Sequence, residues 1–210
     1  MSNIVVPAQE ALQRLRDGNQ RYASNVRSLD SLLSHTRRAD LATGQQPIAI
    51  ILGCSDSRVP AEVVFDQGLG DLFVIRVAGN IVAPSQVGSV EFAAARFGTR
   101  LVVVMGHSQC GVILATIESI ENPGATESQN IRSIVGRVQP TVEGVMRSEA
   151  ATDRADLIHR AVRANVRASV DHLRHGSEVL ERLIATDGLL VVGAEYSLET
   201  GEVQFFDGAD

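Results

Sequence analysis

Tryptophan is absent from this 210-residue chain, and only two tyrosines and six phenylalanines supply aromatic surface. Base-stacking and sugar-stacking platforms are therefore poorly provided for. Cysteine is equally scarce: two residues in a chain of this length do not make a disulfide scaffold. They do not form a Cys-x-x-Cys redox motif either. Basic residues are outnumbered, with 19 Lys and Arg against 25 Asp and Glu, a net charge of −6 and a pI near 5.4. That balance argues against non-specific affinity for nucleic acid. The amino-terminal residues 1–7 lack the basic and apolar regions of a secretory signal. The longest apolar runs, residues 48–52 and 101–105, fall far short of a membrane span of about 20 residues. The dinucleotide glycine fingerprint and the phosphate-loop Gly-Lys-Ser/Thr are also missing. The expectation is a soluble cytoplasmic protein with no nucleic-acid and no membrane partner.

What is present reads as an ordinary globular chain, 44% hydrophobic and 21% charged. At about 150 residues per domain the length gives one domain or at most two small ones, and a single domain over 1–210 is expected. Residues 8–22 place Ala8, Leu12, Leu15 and Tyr22 near helical spacing. Residues 24–46 are polar with few apolar anchors, an arm expected, with the first helix, to lie on a partner subunit. Unbroken apolar runs at 47–53, 72–77, 101–105 and 188–193 suit parallel strands buried on both faces. Helical patterns fall between them at 85–97, 112–120, 156–173 and 177–185. Residues 202–206 follow a turn at 199–201 and suit an edge strand in a hairpin with the fourth run. The predicted class is α/β: a central, mainly parallel sheet flanked by helices, with an extended amino-terminal helical arm and a carboxy-terminal edge strand.

Both cysteines fall where such a fold places chemistry. Cys54 follows the first strand run, and His107 and Cys110 follow the third in Gly-His-Ser-Gln-Cys-Gly. Ligands bind at the carboxyl ends of strands in open α/β sheets, above all at a switch point. Two thiolates and an imidazole at neighbouring strand ends can converge on one metal, and Cys₂His with an open fourth position is a catalytic zinc arrangement. Buried core thiols would leave the same pattern. Asp56 and Arg58 stand two and four positions beyond Cys54; an Asp held by a neighbouring Arg stays ionised and can only accept a hydrogen bond. A structural pair in a turn is the alternative. His172 and His175, three apart on one predicted helix, and His159 read as solvated helix residues rather than a second metal site. The arginines at 154, 160, 163, 167 and 174 alternate with acids and read as an exposed or interface face.

The segments 54–62, Cys-Ser-Asp-Ser-Arg-Val-Pro-Ala-Glu, and 106–111 resemble the two signatures of the β-class carbonic anhydrases, bacterial type. The resemblance extends through residues 11–22, 65–76, 78–80 and 88–92. It implies that Cys54, His107 and Cys110 bind one zinc ion per subunit. It implies that Asp56 and Arg58 form the catalytic dyad that orients the zinc-bound water, with a closed state in which the Asp itself takes the fourth position. Gln45, Phe73, Phe92 and Gly111 match positions that contact substrate, the Gln usually from the partner chain. The implied reaction is reversible hydration of carbon dioxide to bicarbonate and a proton by zinc-bound hydroxide, in a homodimer or homotetramer. Hydrolysis of carbonyl sulfide or carbon disulfide on the same zinc site is the alternative; a non-catalytic zinc protein is a further one. A second bicarbonate site in some members uses a Trp, an Arg and a Tyr. Arg76 and Tyr196 match here, but Ile51 stands at the Trp position, so that site is missing or altered.

Overall fold

The computed structural model describes residues 5–26, 39, 41–123, 128–148 and 151–209. Five strands form one sheet: β1 (Ala49–Gly53), β2 (Leu72–Arg76), β3 (Leu101–His107), β4 (Leu190–Tyr196) and β5 (Val203–Asp207), in the order β2-β1-β3-β4-β5. The first four are parallel, and β5 closes the far edge antiparallel to β4. Seven α-helices surround them among the described residues: α1 (Ala8–Ala23), α2 (Ala61–Val64), α3 (Pro84–Arg96), α4 (Gly111–Glu121), α5 (Gln129–Arg147), α6 (Arg154–His175) and α7 (Glu178–Thr186). The predicted class holds, and the expected strands and helices are found to within about three residues. None of the described helices is long and apolar enough to cross a membrane.

The burial of the strands explains their composition. Every residue of β1 and β3 is buried, because both faces of the sheet are covered. On one face Leu12 and Leu15 of α1 and Phe65 pack on Ile51, Val103 and Val192. On the other, Val90 of α3, Val166 and Val170 of α6 and Leu180 of α7 pack on Ile50, Leu52, Val102 and Val104. Burying a side chain of this size contributes about 1.5–3 kcal/mol, so these two layers are the main source of stability. Side-chain caps start the later helices: Asp153 accepts from the Asp156 amide at 2.9 Å, and Ser177 from the Leu180 amide at 3.2 Å.

α1 docks on its own sheet in this chain. Most of the polar arm expected over 24–46, namely residues 27–38 and 40, lies outside the described residues. α5 was not anticipated from the sequence. It starts at a Ser128 cap and runs through Pro140, burying only Val135, Val138 and Val142. A narrow three-residue stripe interrupted by a helix-breaking residue gives little periodic signal. With α4 and α6 it builds a third apolar cluster around Cys54, Ile81 and Cys110 at the carboxyl ends of the strands.

Candidate metal centre

The chain leaves β1 toward β2 on one side and returns to β3 on the other, so the connection reverses between β1 and β3. That is the switch point of the sheet. Gly53 lies in register with Met105, which brings Cys54 level with the Gly106–His107 end of β3. The third strand is two residues longer than its apolar run, so His107 is its last residue. Cys110 is the N-cap of α4. Between them Gln109 is forced into the left-handed region at φ 56°, turning the chain sharply from strand to helix.

The result is one cluster: a ligand atom from each of Cys54, His107 and Cys110 lies within 4.8 Å of the others, and all three residues are buried. His107 donates from Nδ1 to the Ser108 carbonyl at 2.9 Å. That leaves its buried Nε2, which has no hydrogen-bond partner, as the free lone pair of the cluster. A fully buried imidazole nitrogen without a partner is costly unless something binds it. Two sulfurs and this nitrogen are the donor set that suits zinc, with a fourth position left open. The residues present therefore fit the ion.

A hydrogen bond from the Cys110 thiol holds the Cys54 thiol well below the usual thiol range, against the opposing effect of burial. The Cys110 thiol is pushed up, by that same hydrogen bond first and by burial. The Gly79 amide also donates to the Cys54 sulfur at 3.4 Å. Gly79 can do so because it adopts φ +72°, and a Cβ there would meet Val112 Cγ1 at 2.7 Å. Burial opposes charge on His107, but the adjacent Cys54 outweighs it and raises the imidazole pKa.

Asp56 and Arg58 form the expected pair. Asp56 Oδ1 accepts from the Arg58 amide at 2.9 Å and from its Nε at 3.0 Å, and Oδ2 accepts from Nη2 at 2.7 Å. The Arg58 hydrogen bonds hold the Asp56 carboxyl well below the usual carboxylate range. Its Oδ2 stands 3.9 Å from His107 Nε2, so an ionised acceptor faces the cluster. Arg76 ties this loop down, donating to the Cys54 carbonyl at 3.1 Å and the Asp56 carbonyl at 2.5 Å.

The other predicted site residues are placed differently. Gly111 opens α4 directly beyond Cys110, where helix-start amides lack intrahelical partners. Phe73 lies opposite Ile50, four residues before Cys54, or about 13 Å along the strand. It forms a cluster with Phe92 and Phe97, at centroid distances of 6.3 and 6.0 Å, beside the β2 edge. Gln45 precedes β1, at the opposite end of the strand from Cys54, lining a surface hollow with Leu41, Leu69 and Phe97. Within one chain these three do not meet the cysteine–histidine cluster. Ile51 is fully buried under α1. Tyr196 is buried too, its hydroxyl 3.0 Å from that of Tyr22. His159 pairs with the buried Glu195 at 3.2 Å, while His172 and His175 are exposed. Of the predicted arginine face, Arg160 pairs with Asp156 and Arg174 with Asp207, and Arg163 covers the Phe206 ring at 4.0 Å. Sequence reading missed the structural parts of Gly79, Ser108 and Glu199. Gly79 and Ser108 lie within the matched segments 78–80 and 106–111, but nothing local in the sequence pointed to Glu199.

Comparison with known proteins agrees with this geometry. A family profile described as "Carbonic anhydrase" matches residues 49–203. Carbonic anhydrase 2 of Mycobacterium tuberculosis is 36% identical over 197 residues, covering 94% of this chain and 92% of that protein. Among solved structures, a tetrameric β-carbonic anhydrase of Sordaria macrospora superposes with a TM-score of 0.73 at 25% identity, covering 80% of this chain and 85% of that one. The β-carbonic anhydrase CafA of Aspergillus fumigatus does so with a TM-score of 0.74 at 26% identity, covering 82% and 81%.

Proposed function

The chain belongs to the β-carbonic anhydrase family, and we propose that it catalyses the reversible hydration of carbon dioxide to bicarbonate and a proton. The observation that carries this reading is the buried Cys54–His107–Cys110 cluster faced by an ionised Asp56. These three residues would hold one zinc ion, which supplies a Lewis acid able to make an oxygen nucleophile available near neutral pH.

The protein's own groups supply orientation. Asp56 spends three hydrogen bonds on Arg58 and is left with acceptor capacity only. It therefore takes the O–H of the attacking oxygen and leaves a lone pair aimed at carbon. Arg58 keeps that carboxylate charged and fixes its plane. Arg76 holds the loop that carries both Cys54 and Asp56. The Gly111 amide, at the positive end of α4, faces the developing bicarbonate oxygen.

Carbon dioxide is apolar and needs an apolar wall. Phe73 and Phe92, with Gln45 as a polar contact, reach the centre only from a second copy of the chain, so the functional unit is a homodimer or homotetramer. The 54% exposure of Phe92 supports a covered face there, as does the tetrameric state of the Sordaria relative. Packing of the amino-terminal region, residues 1–46, on that partner belongs to the same proposal. Two free thiols in the site suit a reducing compartment, in keeping with a cytoplasmic location.

The test is stopped-flow hydration of carbon dioxide by zinc-loaded protein with metal content measured on the same sample. Fast turnover is expected at one zinc per chain. Full zinc occupancy without turnover of carbon dioxide, but with release of sulfide from carbonyl sulfide, would overturn the proposal in favour of the hydrolase.

A further inference from the structure

Ser108 is not a ligand in this reading, yet more bonds converge on it than on its neighbours. Its carbonyl accepts the His107 Nδ1–H at 2.9 Å, so the position of Ser108 sets where Nε2 points. Its amide donates to the Tyr196 carbonyl at 2.9 Å. Its hydroxyl donates to Glu199 Oε2 at 2.9 Å while accepting from the Leu198 amide at 3.0 Å. The donors and acceptors on the far side come from Tyr196 at the end of β4 and from Leu198 and Glu199 in the turn that leads to β5. That turn is itself braced, because Ser197 Oγ donates to the same Glu199 oxygen at 3.1 Å and accepts from the Thr200 amide at 3.1 Å.

The segment needs such bracing. Gln109, the next residue, holds a left-handed conformation that a side chain disfavours, and Cys110 follows it immediately. Glu199 is exposed and belongs to none of the apolar clusters, so packing does not account for its orientation. Its carboxylate is held below the ordinary range by Ser108 first, then by hydrogen bonds within the turn, with a weaker contribution from the charge of Arg58.

We propose that Glu199 is a positioning residue of the metal centre: reaching across from the β4–β5 turn, it fixes Ser108 and so aims His107 Nε2 and holds the strained turn into Cys110. This rests on reading Cys54, His107 and Cys110 as metal ligands. Groups one bond removed from a ligand typically change metal affinity about 10–100-fold. Glu199 acts through one more bond, so a loss of about 3–10-fold is expected from Glu199→Ala.

The experiment compares wild type, Glu199→Ala and Glu199→Gln. Zinc release to an excess of chelator is timed, and the visible spectrum of the cobalt(II)-substituted proteins is recorded. Glu199→Ala should release zinc several-fold faster and shift the cobalt bands, with the unfolding midpoint of the metal-free protein nearly unchanged. Glu199→Gln keeps a carbonyl acceptor for Ser108 and should restore most of both properties. Identical release and spectra in wild type and Glu199→Ala would overturn the proposal. So would a Glu199→Gln variant as impaired as Glu199→Ala, because charge rather than the bond to Ser108 would then be the cause. Failure of wild type to bind zinc or cobalt would instead refute the ligand assignment, and this inference with it.

Discussion

Asp56→Asn separates the two things the dyad can be, a structural pair or an orienting acceptor. Asparagine has nearly the same shape, so the loop is not overpacked. Its oxygen can keep the place of Oδ1, bonded to the Arg58 amide and Nε. Its NH₂ then replaces Oδ2, where Arg58 Nη2 donates at 2.7 Å, and two donors face each other. The pair is at the surface, with the Arg58 side chain 55% exposed, so stability should change little. Catalysis should change much more. The same NH₂ takes the position 3.9 Å from His107 Nε2 and donates where an acceptor is needed, turning the lone pair of the attacking oxygen away from carbon. Misdirecting one preorganised hydrogen bond costs about 10²–10³-fold in turnover, or about 2.7–4 kcal/mol of barrier. The assay is stopped-flow hydration alongside zinc content and a thermal melt. Zinc at wild-type stoichiometry, a near-unchanged melt and a fall of at least a hundredfold in kcat are expected. Turnover within about fivefold of wild type would refute the orienting role and leave Asp56 a structural residue.

Cys110→Ala removes one of three donors and should leave little zinc after dialysis against chelator, with activity falling more than a hundredfold; metal analysis checks it. Gly79→Ala forces a side chain into φ +72° and against Val112 Cγ1 at 2.7 Å, so urea unfolding should show a loss of about 2–4 kcal/mol, together with weaker zinc binding. In the metal-free protein the hydrogen bond from Cys110 holds the Cys54 thiol well below its ordinary value, which is about 8.5 when unfolded. Its stabilising contribution is therefore full above about pH 8.5 and is lost as pH falls through the lowered folded-state value. Cys110 shifts upward and subtracts above about pH 8.5. Urea midpoints should rise from acid toward mildly alkaline pH and then turn down, and ultraviolet thiolate absorbance should report one ionised thiol per chain at neutral pH; two neutral thiols there would refute the assignment.

The sequence made the cysteine–histidine cluster legible because its members are local to strand ends. β1 and β3 are buried on both faces, so they read as unbroken apolar runs, and the residues just beyond such runs are where a parallel sheet exposes chemistry. Asp56 and Arg58 are two residues apart, so their pairing too is a local event. Distance along the chain defeated the rest. Ser108 and Glu199 are 91 positions apart, and nothing near either one announces the other. They meet because β3 and β4 run side by side through His107 and Tyr196 and because the hairpin returning to β5 tightens just beyond. α5 was lost for the opposite reason: its local signal is misleading, with Pro140 in mid-helix and only three buried valines, while its place is set by the cluster it completes beside Cys54 and Cys110. Phe73, Phe92 and Gln45 mark a third limit. Their match to substrate-contacting positions is a matter of sequence, yet in one chain they sit about a strand's length from the cysteines. A motif records which residues go together but not which chain supplies them, so residues matched to one site need not lie together in a single chain.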